Sequence, residues 1–415
     1  MDPIIQNLFV KGVHSLHSLF HGPRLKEDIK LLRSVHSTIL TMDVVRSNGI
    51  LEQIISIFAS HESVLEASLI FCSISHPSVR CYHDMIPLYA KHGNGFRAFE
   101  LYSRMMKEGL NPNEFTFPCI LKICGDIVAL EEGQLLHNQL IYHGFESNIV
   151  VGNTLICMYA KCGRLEMAQK VFETLPNQSL VSWSSIITAC TQHGYGHLAL
   201  QIFNEMQDAK VKPDIVIFSC TLKACCILRV LEHGMLIHSQ MLESGILVDV
   251  AVGNTLIDMY GKCGNLDDAR NVFEKLSHPN LHSWGAMISV CIHNHHNRLA
   301  LEILERMQNN DVHPDKVVYT YALQAYGALG AIEHGKSIHN QIIQSNLDSD
   351  ISIRNSIINM YSKCGMLNEA YKVFSEHLNG NSIPWAVMME AYSENGCGLP
   401  VLQLFQKMQK QQINN

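Results

Sequence analysis

The stretch VGNTLICMYAKCGRL at residues 151–165 returns as VGNTLIDMYGKCGNL at 252–266 and, more worn, as IRNSIINMYSKCGML at 353–367. Each copy begins 101 residues after the one before. A fixed period fixes the architecture before any local reading of helix or strand, and this one holds far beyond the quoted words. Trp183, Trp284 and Trp385 keep it, with Tyr82 in the same place one period earlier. So do Met105, Met206, Met307 and Met408; Phe172, Phe273 and Phe374; and Tyr159, Tyr260 and Tyr361. His137, His238 and His339 form a further series, which His36 extends towards the N-terminus; these histidines are expected to pack between helices with a ring nitrogen satisfied locally, and the Trp, Phe and Met series to lie in the core.

Each period contains three smaller units. LNPN ends at Asn113, VKPD at Asp214 and VHPD at Asp315; proline there stops a helix and holds its predecessor out of the α region. Between these stops the apolar residues follow helical spacing. Trp183, Ile186, Ile187 and Cys190 make one stripe, Gly194 and Gly196 interrupt it, and Leu198, Leu200, Ile202, Phe203 and Met206 resume it. The units measure 35, 35 and 31 residues: 79–113, 114–148 and 149–179, then 180–214, 215–249 and 250–280, then 281–315, 316–350 and 351–381. A last unit opens at Ser382 and is incomplete at Asn415, as in a truncated product, while residues 13–78 read as degenerate copies and 1–12 as an N-terminal segment. A helical hairpin of this size cannot bury its apolar face alone, so the expected fold is all-α, a solenoid of stacked helix-turn-helix repeats.

The 415 residues are 47% apolar with a net charge of −7, which argues against coating nucleic acid or an anionic membrane by charge alone. No apolar run reaches the roughly 18 residues of a membrane span, so no membrane partner is expected. Many of the fourteen cysteines recur at repeat positions such as Cys162, Cys263 and Cys364. Those three are three hairpins apart, about 30 Å at the usual helix spacing, so they are expected to pack and not to share a metal. GNGFRA at Gly93 and GYGHLA at Gly194 resemble a dinucleotide loop but have no strand ahead of them, and are read as hairpin turns. HNHHNRLA at His293 lacks Cys or acidic partners and is not read as a metal site.

FTFPCILKICG, VGNTLIDMYGKCGNLDDARNVFEKL and LVSWSSIITACTQHG with VKPD, rotating in fixed order, resemble the pentatricopeptide repeat family of plants, and within it the subfamily that alternates P, L and S repeats. In those terms 79–113, 180–214, 281–315 and 382–415 are P repeats, 114–148, 215–249 and 316–350 are L repeats, and 149–179, 250–280 and 351–381 are S repeats. Residues 13–47 resemble a worn L repeat and 48–78 a worn S repeat. The resemblance implies a right-handed α-solenoid that binds single-stranded organellar RNA in a mitochondrion or chloroplast. The first 26 residues hold Lys11, Arg24 and Lys26 with Asp2 the one acid, similar to an organellar transit segment.

Helical repeats that read RNA give one base to each repeat, through two or three side chains. The resemblance assigns that reading to the fifth and last residues of a repeat. The fifth residues are His83, Asn153, Ser184, Ser219, Asn254, Gly285, Thr320 and Asn355, with Pro118 and Ala386 at the same register; Gly285 lacks a side chain, Ala386 has only a methyl, and Pro118 and His83 depart from the usual pattern. The last are Asn113, Asn148, Ser179, Asp214, Asp249, Asn280, Asp315, Asp350 and Asn381. Asn offers a base edge both a donor pair and an acceptor. By the family's preferences Asn153 with Ser179 resembles a cytosine reader and Ser184 with Asp214 a guanine reader. Asn254 with Asn280, and Asn355 with Asn381, suggest pyrimidines, and Thr320 with Asp350 suggests guanine in a poorly reading L repeat. Val150, Val181, Ala251 and Ile383 hold the second position, where the family sandwiches bases, and Arg80 and His282 hold it elsewhere. Lys91, Lys161, Lys262 and Lys363 share a register that the resemblance offers to phosphates; cations also suit a helix C-terminus.

Relatives that edit RNA carry a deaminase with H-x-E and C-x-x-C, whose His and Cys hold zinc; neither spacing occurs here. The expectation is a chain that is not an enzyme, takes no cofactor or small-molecule substrate, and reads RNA for C-to-U editing by a deaminase in trans, with other editing factors as further partners, or for transcript stabilisation or processing. The alternative is a protein-binding helical scaffold.

Overall fold

The computed structural model describes residues 48–376 and 383–410, where every regular element is a helix. They fall into two compact units, one ending at His193 and one starting at Gly194. Readings that involve residues 1–47, His36 among them, and Asn381 lie outside the described residues.

The first unit contains α1 (Asn48–Ser60), α2 (Val64–Ser73), α3 (Val79–Lys91), α4 (Gly95–Lys107), α5 (Thr116–Asp126), α6 (Leu130–Tyr142), α7 (Ile149–Lys161), α8 (Leu165–Thr174) and α9 (Leu180–Gln192). The second contains α10 (Gly196–Asp208), α11 (Ile215–Leu228), α12 (Leu231–Glu243), α13 (Val250–Lys262), α14 (Leu266–Glu274), α15 (Leu281–His293) and α16 (Asn297–Asn309). It continues with α17 (Lys316–Leu329), α18 (Ile332–Gln344), α19 (Ile351–Lys363), α20 (Leu367–Ser375), α21 (Ile383–Glu394) and α22 (Gly398–Lys410). Within each unit the odd helices pack side by side in one layer, and each even helix packs against the odd helices that flank it in sequence. Each unit is a stack of hairpins, and the chain is an all-α solenoid. No described helix is long and apolar enough to cross a membrane.

The repeated Lys-Cys-Gly is a helix stop. Cys162, Cys263 and Cys364 are the C-cap residues of α7, α13 and α19, and Gly163, Gly264 and Gly365 follow with φ of 70°, 79° and 73°. A residue without Cβ enters that left-handed region at no steric cost. The thiols of Cys162 and Cys263 lie 4.0 Å from the carbonyl oxygens of Cys124 and Cys225 on the preceding odd helix, and burial pushes all three thiols above their ordinary value.

Aromatic edges join one hairpin to the next. Trp183 meets Phe172 at 4.8 Å between ring centres and 71°, Trp284 meets Phe273 at 4.9 Å and 71°, and Trp385 meets Phe374 at 5.0 Å and 87°. Tyr82 meets Phe71 in the same way at 5.4 Å and 79°. Each such edge-to-face pair adds about 0.5–1.5 kcal/mol beyond the area it buries. The histidine series is equally local. Nδ1 of His137, His238 and His339 lies 2.8, 2.9 and 3.0 Å from the hydroxyls of Tyr159, Tyr260 and Tyr361, tying α6, α12 and α18 to α7, α13 and α19. Burial holds all three imidazoles below their ordinary value.

Close packing of the odd helices shows at Gly261, where an added Cβ would stand 2.1 Å from Val290 Cγ2 and 2.9 Å from its Cβ. The same two registers hold Ala160 with Ala189 and Ser362 with Ala391. Glycine therefore stands where the facing residue is a stiff β-branched one. Gly261→Ala is expected to destabilise by about 1–3 kcal/mol through overpacking, and Val290→Ala in the same chain to recover most of that loss; urea midpoints of both single variants and the double check it. The buried histidines set a second expectation. Because their folded values lie below the unfolded one near 6.5, their contribution is intact above that pH and is lost as pH falls through the lowered values. The drop in urea midpoint between pH 7.5 and 5.5 should shrink in a His137→Gln, His238→Gln, His339→Gln variant.

Candidate functional site

Asn148, Ser179, Asp214, Asp249, Asn280, Asp315 and Asp350, each the last residue of its repeat, are the N-caps of the next odd helices, and Asn113 stands two residues before Phe115, the N-cap of α5. Asn148 Oδ1 accepts from the N–H groups of Val150 (2.9 Å) and Val151 (3.2 Å), and Asp350 Oδ1 from those of Ser352 (2.8 Å) and Ile353 (3.2 Å). Asp214, Asp249 and Asp315 accept from Ile217, Val252 and Val318 at 2.9, 2.8 and 2.9 Å. Ser179 and Asn280 accept from Ser182 (3.2 Å) and Ser283 (2.9 Å), whose hydroxyls accept from the cap's own N–H in return. Asn113 accepts from Phe115 and Thr116 at 3.1 and 2.9 Å. Short polar residues recur here because the first N–H groups of a helix have no partner inside it. The cap takes one oxygen and leaves the other edge outward: an amide NH₂ on Asn280, a second carboxylate oxygen on Asp214, Asp249 and Asp315.

The fifth residues sit one turn further along the same helices, half-buried except for the exposed Ala386. Their bonding differs by repeat. Asn153, Asn254 and Asn355 each hold a buried Oδ1 with no partner, an omission that ordinarily costs about 1–3 kcal/mol. The torsion that turns the amide is soft, so either edge can swing outward. Ser219 and Thr320, in L repeats, donate their hydroxyl hydrogens to the carbonyls of Ile215 (2.8 Å) and Lys316 (2.9 Å), which leaves them only lone pairs to offer. Asp350 also meets Lys316 Nζ at 2.9 Å. Pro118 lies in the first turn of α5, where its missing N–H costs nothing.

In the second unit these positions converge. Ser219, Asn254, Gly285, Asn280 and Asp315 line one groove of about 1120 Å³ that runs over α11, α13, α15 and α17, and Ala251, His282 and Val317 from the second positions line it too. Second positions are outward elsewhere as well, and apolar except at Arg80 and Ser352. Val150 and Val181 in the first unit are 62% and 60% exposed, and Ile383 in the second 53%. Phe115, Val216 and Val317 belong to the same series at 66%, 48% and 50%, whereas Val318 beside the last is 1% exposed. Sequence reasoning missed these three, although carrying the second-position register into the L repeats finds them. It also missed the caps, whose signal is the recurrence of Asn, Asp or Ser immediately before each apolar stripe.

The lysine register ends each S-repeat odd helix and α3, with most members already paired. Lys91 pairs with Glu62, Lys161 Nζ lies 2.5 Å from Asp126, and Lys262 Nζ lies 2.7 Å from Asp258. No such pair is found for Lys363 among the described residues. These pairs are exposed, so they are worth little and can exchange.

Models described as PPR repeat match residues 153–178, 254–278, 352–376 and 383–413, a PPR repeat family model matches 178–227, and a pentatricopeptide repeat domain model matches 76–127 and 277–328. The chain is 30% identical over 385 residues to the chloroplastic pentatricopeptide repeat-containing protein At1g11290 of Arabidopsis thaliana, covering 93% of this chain and 48% of that protein. It is 30% identical over 391 residues to At4g38010 of the same plant, covering 92% and 68%. The chain thus spans about half to two thirds of the length of these relatives. Among solved structures, the pentatricopeptide repeat protein PPR10 in complex with an 18-nt psaJ RNA element superposes with a TM-score of 0.74 at 19% identity, over 89% of this chain and 56% of that one; that likeness is one of fold. Repeated phrases, stacked hairpins and these matches agree that the chain belongs to the pentatricopeptide repeat family.

Proposed function

We propose that the chain binds single-stranded RNA along the N-terminal halves of its odd helices, one base to a repeat. The observation that carries this reading is the unpartnered amide oxygen of Asn153, Asn254 and Asn355, beside the outward Val150 and Ala251 in the first two of these repeats and Ser352 in the third. A half-buried amide offers donors and an acceptor to a base edge, and a flanking apolar side chain offers its face to the ring. The RNA bound by PPR10 lends the reading support through the shared fold. Fifth and last residues together are the reading pair, and the alternation of 35, 35 and 31 residues fits the P, L and S subfamily. The chloroplastic relative favours an organelle, plastid or mitochondrion, as the place of action. Selecting a transcript site for C-to-U editing by a deaminase in trans, or for stabilisation or processing, is the role this chemistry serves.

Selection from a random single-stranded RNA pool tests it. The wild type is expected to enrich a motif with a pyrimidine at one place, and Asn254→Ser to change the preference there and nowhere else, by about 5- to 150-fold for 1–3 kcal/mol of base discrimination. Enrichment of nothing above a charge-matched control overturns the reading. Asn280→Asp separates the two duties of a cap. The carboxylate still accepts from Ser283, so the urea midpoint should hold, while the outward donor becomes an acceptor and the base preferred at that place should change. With Lys91, Lys161 and Lys262 paired and a net charge of −7, the affinity should fall shallowly with salt, by fewer than about six released counterions.

A further inference from the structure

Among the described fifth-and-last pairs, that of repeat 79–113 stands apart, because its two side chains bond to each other. Asn113 Oδ1 accepts from Phe115 N–H (3.1 Å), Thr116 N–H (2.9 Å) and Thr116 Oγ1 (2.8 Å). Three donors on one oxygen fix which way the amide faces. Its nitrogen is therefore the atom 2.9 Å from His83 Nδ1. An amide N–H can only donate, so Nδ1 must be the unprotonated, accepting nitrogen, and the ring carries its hydrogen on Nε2. Nε2 is buried, and burial holds the imidazole below its ordinary value, in the neutral form this bond requires.

The pair has little left to offer a ligand. His83 turns no free acceptor outward, and Asn113 retains one amide hydrogen. A lone donor does not discriminate, since each of the four bases carries acceptors on its edges. Asn254 and Asn280 stand in contrast: they line one groove, the first with an uncommitted amide oxygen and the second with its amide hydrogens outward.

We propose that the hydrogen bond between His83 and Asn113 is a latch that closes the reading edge of repeat 79–113, so that the base opposite it is held without selection. The inference rests on the RNA reading above and predicts an unspecified place in a specified motif, at a position that counting repeats locates. Repeat 79–113 is five repeats before 250–280, so the place lies five bases from the one that Asn254→Ser moves.

The same random-pool selection, run with the wild type, Asn254→Ser and His83→Asn, tests it. The wild type is expected to show no preference at the fifth place from the Asn254 base. His83→Asn removes the imidazole acceptor, leaves the Asn113 cap in place, and should create a preference at that place of at least about fivefold, with the rest of the motif unchanged. A wild-type preference there as sharp as at the Asn254 base overturns the latch and leaves the RNA reading standing. A wild-type pool with no motif anywhere overturns both. Nitrogen NMR of the RNA-free protein supplies a readout independent of binding: His83 should show an unprotonated, hydrogen-bonded Nδ1 and a protonated Nε2, and the opposite tautomer overturns the latch.

Discussion

A single side-chain oxygen at the end of the hairpins from Asn113 to Asp350, accepting from the first turn of the following odd helix, is the contact on which the other features depend. It ends one repeat and starts the next at a defined residue, and in doing so sets the rotational phase of the new helix. Cap, second position and fifth position are then separated by steps of two and three residues, and all three lie over the first turns. An outward second residue and a fifth residue thereby come to flank the cap, apolar and polar in the repeats of Asn153, Ser184, Ser219, Asn254 and Thr320, but His282 with Gly285 on α15 and Ser352 with Asn355 on α19. The groove over α11, α13, α15 and α17 is lined by members of this arrangement from four successive odd helices.

The cap also shapes the electrostatics of that face. Asp214, Asp249, Asp315 and Asp350 complement the positive ends of their helices, where a carboxylate is worth about 0.3–1 kcal/mol. Stability therefore favours anionic groups beside the very positions that would meet a nucleic acid. On the RNA reading proposed above, a polyanion would lie with its bases towards the caps and its phosphates nearer the helix C-termini, where Lys91, Lys161, Lys262 and Lys363 stand.

The hairpins and their stacking were legible in the sequence because period and helical spacing are strictly local in register. Trp183, Trp284, Phe172 and Phe273 read as core and are core, and the histidine series read as locally satisfied and bonds tyrosine. Met105, Met206 and Met307 are fully buried, whereas Met408 is half-buried. What escaped was whatever depends on a neighbour in another repeat. The acids beside Lys91 and Lys161 lie 29 and 35 residues away, and no periodic motif announces them. Gly133, Gly234 and Gly335 face the sulfurs of Met158, Met259 and Met360, which would stand 2.5, 2.3 and 2.5 Å from an added Cβ; the spacing was visible in both series, but not that one is the socket of the other. His83 read as a departure from the pattern, and only coordinates reveal that its partner is the other member of its own pair.

The complementary volumes along the odd-helix layer limit how such an array can be rearranged. Gly261 accepts Val290, while the matching places carry Ala160 with Ala189 and Ser362 with Ala391. A hairpin that presents alanine or serine there cannot precede one that presents valine without a clash, and glycine facing alanine leaves a void. Recombination or engineering that cuts between repeats inherits this matching rule, so the exchangeable module is the junction between two hairpins, with the single hairpin too small a piece to move alone.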